Sequence, residues 1–143
     1  MTSLIVQKYG GSSLGTLGQI KFVAKKIKKS LEDSNKIVIV VSAMGSTTDE
    51  LVELGESFLK DTNEIENLRD FDQLLSTGEI ISASLMSMAL RKINVNVISL
   101  TGQKAGIFTD DLHGSARISS IDEKVILNEL KNRDVVIVAG FQG

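Results

Sequence analysis

"LIVQKYGGSSLGTLGQIKFVAKKIKKSL", residues 4–31, decides the architecture. It opens on an apolar run, sets Lys8 and the pair Gly10–Gly11 where that run ends, and resumes after Gly15 at helical spacing. Leu17, Ile20, Val23, Ala24, Ile27 and Leu31 fall on one face of a helix. Thr16 with Gln19 has the form of a capping box, which predicts a helix start directly after Gly15. The segment therefore reads strand, glycine loop, helix. Two explanations of the loop stand side by side. Gly10, Gly11 and Gly15 can make a plain turn with Lys8 in water, or their bare amides and the lysine can cradle a phosphate. The loop is neither a Walker A motif, since Thr16 follows Gly15 where a lysine belongs, nor a dinucleotide G-x-G-x-x-G, since Gly10 and Gly11 are adjacent.

Outward from this unit the pattern repeats. "KIVIVVSA" (36–43), "DVVIVAGF" (134–141) and "VNVISL" (95–100) read as strands, with "ARISSI" (116–121) a weaker candidate. Continuous rather than alternating apolarity predicts strands buried on both faces, as in a parallel sheet. Thr47 with Glu50 and Ser120 with Glu123 repeat the capping device before two further helices. A long helix is expected over 65–92, with an interruption near Gly78; the polar stretch 60–66 reads as a surface connection. The order β-α-β-α-α-β-β-α-β predicts a layered α/β fold with a mostly parallel sheet. In such sheets ligands sit beyond the carboxyl ends of the strands, where all the small-residue loops of this sequence fall.

The 143 residues suffice for one domain with a real core, at 42% hydrophobic and 24% charged residues. A net charge of −2 offers no broad basic field, so nucleic acid is not expected as a partner. No apolar stretch approaches membrane-span length and the opening lacks a basic leader, so a cytoplasmic protein without a membrane partner is expected. With no cysteine there is no disulfide, thiolate metal site or cysteine nucleophile, and His113 is the single histidine.

Three further stretches hold candidate chemistry. In "VSAMGSTTDELV" (41–52), Thr47 is explained as a helix cap and Asp49 and Glu50 as first-turn acids, which leaves Thr48 able to bond a ligand. In "LLSTGEIIS" (74–82), Glu79 stands at the entrance of an apolar stretch, where a carboxylate costs free energy unless capped locally, solvated or met by a cation such as an ammonium. In "TGQKAGIFTDDLHGSARI" (101–118), Asp110 and Asp111 are neighbours that point apart on an extended chain, so a solvated turn explains them better than a metal. His113 reads as a loop hydrogen-bonder.

Together these stretches resemble the aspartate kinases of the amino-acid kinase fold. "VQKYGGSSLG" is similar to the family's K-F-G-G-T-S opening, "SAMGSTTDELV" to its S-A-M-G-x-[ST]-T-D-E-L segment, and "LLSTGE" to its L-[LA]-[ST]-G-E. "TGQKAGIFTD…HGSARI" and "VVIVAGFQG" match further segments in order. The resemblance implies a three-layer α/β/α fold, with residues 1–143 the N-terminal half of the kinase domain and no regulatory domain among them. It implies transfer of the ATP γ-phosphoryl group to the side-chain carboxylate of L-aspartate, a step toward lysine, threonine and methionine. By the same resemblance Lys8 contacts the nucleotide phosphates and is catalytic, Tyr9, Gly10, Gly11 and Ser12 form the phosphate loop, and Thr48 and Glu79 bind aspartate, Glu79 through the ammonium. Mg2+ is implied on the nucleotide phosphates rather than on these residues. Tyr9 and Ser12 depart mildly from the family's Phe and Thr. In the family a G-R-G-G-S-D segment follows "AGFQG" and completes the site, so the expectation is a piece of a homo-oligomeric enzyme, inactive alone. The competing readings are another amino-acid kinase, of carbamate, glutamate or acetylglutamate type, and a non-catalytic interaction module of the same fold.

Overall fold

The structure is a computed structural model that describes residues 3–32, 36–59 and 65–142. Its elements run β1 (Leu4–Tyr9), α1 (Leu17–Leu31), β2 (Lys36–Val41), α2 (Thr47–Leu59), α3 (Ile65–Lys92), β3 (Val97–Leu100), β4 (Ile107–Thr109), β5 (Ile118–Ile121), α4 (Glu123–Asn132) and β6 (Val135–Ala139). Four strands form one sheet in the order β1-β2-β6-β3, every pair parallel. β4 and β5 form a separate antiparallel arm. β4 was not expected, because three residues are too short for a readable period. Most of the surface connection expected at 60–66 lies outside the described residues.

The continuous apolar runs bury both faces of the sheet. On one face Ile37, Ile39, Val41, Val135, Ile137 and Ala139 pack against Ile20, Val23 and Ile27 of α1 and Met86 and Leu90 of α3. On the other, Val38, Val136, Val138 and Leu100 meet Leu130 of α4 and Ala105. The architecture is thus helices, parallel sheet, helix. Each fully buried Ile or Leu stabilises this arrangement by about 1.5–3 kcal/mol. No helix among the described residues is long and apolar enough to cross a membrane.

Local details depart from expectation in three places. The Thr16 cap is as expected, its hydroxyl accepting from Gln19 N at 3.2 Å. α2, however, already includes Thr47; Ser46 precedes it, accepting from Glu50 N at 3.0 Å and donating to the Glu50 carboxylate at 2.6 Å. α4 is capped by Asp122, which accepts from Lys124 N, because Ser120 is committed to pairing within β5. Finally, α3 runs unbroken through Gly78 for 28 residues.

Gly78 serves close approach rather than interruption. A Cβ built on it would lie 2.9 Å from the Ala43 Cβ, with Leu51 and Thr47 at 3.5 and 3.6 Å. The magnitudes decide the sign of Gly78→Ala. Alanine gains about 1 kcal/mol of helix propensity, but overpacking of this kind costs about 1–3 kcal/mol, and the struck atom is a rigid methyl. Net destabilisation, read as a lowered urea midpoint at unchanged m-value, is the expected outcome. A raised midpoint would show that α3 is not pinned here.

Candidate active site

The site is built from loops at the carboxyl ends of β1, β2 and β6. β1 and β2 are stitched together where they end, with Ser42 N donating to the Tyr9 carbonyl at 3.0 Å and Gly45 N to the Gly11 carbonyl at 3.1 Å. Gly11 comes so near the second loop that a Cβ there would lie 2.9 Å from the Ala43 carbonyl oxygen, so only glycine fits. Gly140, after β6, approaches the Val41 carbonyl equally closely and donates its N–H to it at 2.9 Å.

The loop between β1 and α1 is a one-turn 3-10 helix, Gly11–Ser13. Leu14, fully buried, anchors it to the core beneath. The N–H groups of Gly11 and Ser12 have no hydrogen-bond partner among the described residues, and they stand just ahead of the capped N-terminus of α1. Lys8 lies opposite Val40 in the β1–β2 ladder, on the sheet face turned away from α1 and α3. It is exposed, with no hydrogen bond or ion pair among the described residues. Tyr9 faces the other way: its ring packs beside the core, its hydroxyl donates to Gln7 Oε1 at 3.1 Å, and burial raises its pKa. Tyr9 therefore presents no side chain on the Lys8 face; its part in the loop is the carbonyl that holds Ser42.

Glu79 is only 4% exposed. Because Gly78 lets α3 sit directly on the second loop, the Glu79 carboxylate reaches Ala43, whose N–H donates to Oε1 at 3.1 Å. The other oxygen, Oε2, is buried without a partner among the described residues. Burial pushes this carboxyl above the usual glutamate range, and the Ala43 N–H pulls it part of the way back. A buried carboxylate with one oxygen held and one bare is costly unless a proton or a cation meets the bare oxygen. Thr48, half-buried in the first turn of α2, has a hydroxyl without a partner among the described residues. The structure thus brings the first loop, the second loop and Glu79 into one contact chain, Gly11–Ala43–Glu79. Ala43 escaped the sequence reading, since a backbone N–H leaves no mark in residue type.

Beside this chain lies a cavity of about 420 Å³ between α3, the β4–β5 arm and the turn after β6. Neither Thr48 nor Glu79 lines it. The Asp72 carboxylate on α3 accepts from Gly114 N at 2.8 Å and lies 3.4 Å from His113 Nδ1, which places His113 beside α3. Asp110 accepts from Leu112 N and Arg117 N within its own turn. Gln142 closes the other end, its Nε2 donating to the carbonyls of Ser76 and Gly140, each at 3.1 Å. Phe141, between Gly140 and Gln142, is held at φ +50° and is 63% exposed.

Residues 3–143 match the amino acid kinase family. An aspartokinase from Geobacillus stearothermophilus is 46% identical over 140 residues, covering 98% of this chain and 33% of the relative. The crystal structure of aspartate kinase from Synechocystis superposes with a TM-score of 0.80 at 41% identity, over 96% of this chain and 22% of that one. Escherichia coli aspartokinase III, solved in complex with aspartate and ADP, superposes at 0.74 over 95% of this chain and 40% of that one. At 19% identity it speaks for the fold alone. The chain therefore spans about a third of the length of the curated relatives it matches.

Proposed function

This chain belongs to the amino acid kinase family, and we propose that it is the phosphate-loop and acceptor-binding half of an aspartate kinase domain. The observation that carries the reading is Glu79, buried, with Oε1 held by Ala43 and Oε2 bare. Such a group is costly unless a cation meets it, and the ammonium of an amino-acid substrate is a cation of the right size.

In this reading the N–H groups of Gly11 and Ser12, ahead of α1, hold nucleotide phosphate, Gly10 keeps open the space where a Cβ would stand, and Lys8 places its ammonium against the transferring γ-phosphoryl group. Thr48 and Glu79 hold L-aspartate. Glu79 takes the ammonium and leaves the side-chain carboxylate free to attack. One oxygen of that carboxylate bonds to the γ-phosphorus as the bond to the β,γ-bridging oxygen breaks, giving 4-phospho-L-aspartate and ADP. The protein contributes position and charge compensation rather than covalent chemistry. Mg2+, when bound with the nucleotide, would supply charge neutralisation at the phosphates. Among the described residues no group of three or more His, Cys, Asp or Glu side chains is placed to hold a metal ion. The relative is about three times as long as the stretch matched here, and in this reading the rest of that length supplies the remaining nucleotide and acceptor contacts.

Trapping the acyl phosphate with hydroxylamine tests the proposal. A catalytically complete form of the protein is expected to give ATP-dependent hydroxamate with L-aspartate but not with glutamate, and carbamate should not support ADP release. The 143 residues alone should give none. Turnover by the 143 residues alone would overturn the division of the site, and preference for glutamate or carbamate would overturn the substrate.

A further inference from the structure

We propose that Gln142 is a positioning residue for the acceptor site, a role that rests on the reading of Glu79 as the ammonium-binding group. It keys the turn after β6 into α3 and so fixes the height at which Glu79 meets Ala43. The Gln142 side chain reaches across 66 positions of sequence to donate from Nε2 to the Ser76 carbonyl at 3.1 Å, and it donates to the Gly140 carbonyl at the same distance. Ser76 stands on α3 three residues ahead of Glu79, roughly 4.5 Å along the helix axis. Two residues further on, Gly78 is seated against Ala43, where a Cβ would lie 2.9 Å from the Ala43 methyl. α3 is thus tied toward β6 through Ser76 and toward β2 through Gly78. A helix held at both points cannot slide or roll without breaking one of them, and Glu79 is the next residue along.

The fold provides a seat for this side chain. A Cβ on Gly102, just after β3, would lie 2.6 Å from the Gln142 Cβ and 3.2 Å from its Cγ, and the third nearest atom is the Gln142 carbonyl oxygen. Gly102 has an ordinary helical backbone, φ −54° and ψ −51°, which any residue adopts. Its bareness therefore makes room for Gln142 and serves no conformational need of its own. On the other flank of the turn, Gly140 N donates to the Val41 carbonyl at 2.9 Å. Between the two anchors Phe141 is held in the left-handed region at φ +50°. A non-glycine residue persists there only where its flanks over-determine it, and such strain gathers at functional sites. Gln142 supplies one flank and Gly140 the other. Glutamine suits the task, because its amide carries two N–H donors and two carbonyls await them.

Gln142→Met tests this, since methionine keeps the length of the side chain and removes both donors. In the catalytically complete protein it is expected to raise KM for aspartate about tenfold, the worth of one net hydrogen bond, and to move KM for ATP by less than about twofold. Gly102→Ala should give the same split with Gln142 chemically intact, because the new methyl displaces it from its seat. The two changes combined should raise KM for aspartate no more than about twofold beyond the larger single effect, as for residues acting through one contact. A second readout needs no substrate. In the 143-residue chain the Ala43 amide, which donates to Glu79 Oε1, is expected to exchange hydrogen about tenfold faster in Gln142→Met, while the amide of Ile137 within β6 keeps its wild-type rate. Unchanged KM for aspartate in both variants, a parallel rise in KM for ATP, or additive effects in the double variant would overturn the proposal. So would an unaltered Ala43 amide, or equal quickening of Ala43 and Ile137. Should the complete protein phosphorylate no aspartate, the kinase reading falls instead, and exchange at Ala43 still decides whether Gln142 sets α3.

Discussion

Glu79→Gln is expected to raise KM for aspartate about a hundredfold while moving KM for ATP by less than about twofold. It should leave the fold at least as stable as the wild type at neutral pH. The two halves of this expectation have one cause. Glu79 is buried with a bare oxygen, so its charge burdens the protein, and in the proposed reading that charge serves the substrate ammonium. Glutamine keeps the acceptor for the Ala43 N–H and removes the charge.

The sign of the pH dependence follows. The folded-state pKa of Glu79 is raised by burial, so over the interval from the ordinary glutamate value up to the raised one the folded state binds more protons than the unfolded state. Wild-type stability therefore contains a contribution that declines as pH rises through that interval, and the glutamine variant lacks it. Thermal unfolding of the two proteins across acid to neutral pH should show curves that separate in the variant's favour and then run parallel. A variant less stable than wild type at neutral pH would mean that the carboxylate has a structural partner. That would sink the ammonium assignment along with it.

Lys8→Ala should lower kcat of the catalytically complete protein by about a hundredfold to ten-thousandfold, the range found when a charge-compensating donor is removed from a phosphoryl-transfer site. Thermal stability should change by no more than about 0.5 kcal/mol, since the side chain is exposed and unpartnered among the described residues. The contrast separates catalysis from folding. Lys8→Arg should recover only part of the rate, because a broad planar guanidinium does not reproduce a compact ammonium. Unchanged kcat in Lys8→Ala would remove the residue from the reaction and reduce the glycine loop to a turn.

Much of this was legible in the sequence because it is periodic or compositional. The buried positions of the β2 and β6 runs are valine and isoleucine up to the terminal Ala139, and such continuous runs mark a sheet covered on both faces. Thr16 and Gln19 announced the start of α1 through a hydrogen bond that spans three residues. Where two caps compete within one or two positions, as Ser46 with Thr47 and Asp122 with Ser120, type alone cannot choose. The outcome depends on which residue the preceding strand or turn leaves free. The β4 segment was too short to carry a period at all.

Gly78 marks the boundary between the two kinds of information. From residue types alone it reads as a place where a helix weakens, because glycine has the larger backbone entropy to lose. What it does in the fold is set by Ala43, thirty-five positions earlier, whose methyl leaves no room for another. The sequence by itself determined the layered parallel architecture, the strand–loop–helix at the start and the residues able to carry charge, since these follow from local geometry and burial pattern. Only the tertiary structure decided that the second loop would hold one oxygen of Glu79 and leave the other bare. That choice rests on contact between distant backbones, and packing distance is not encoded in any single stretch of the chain.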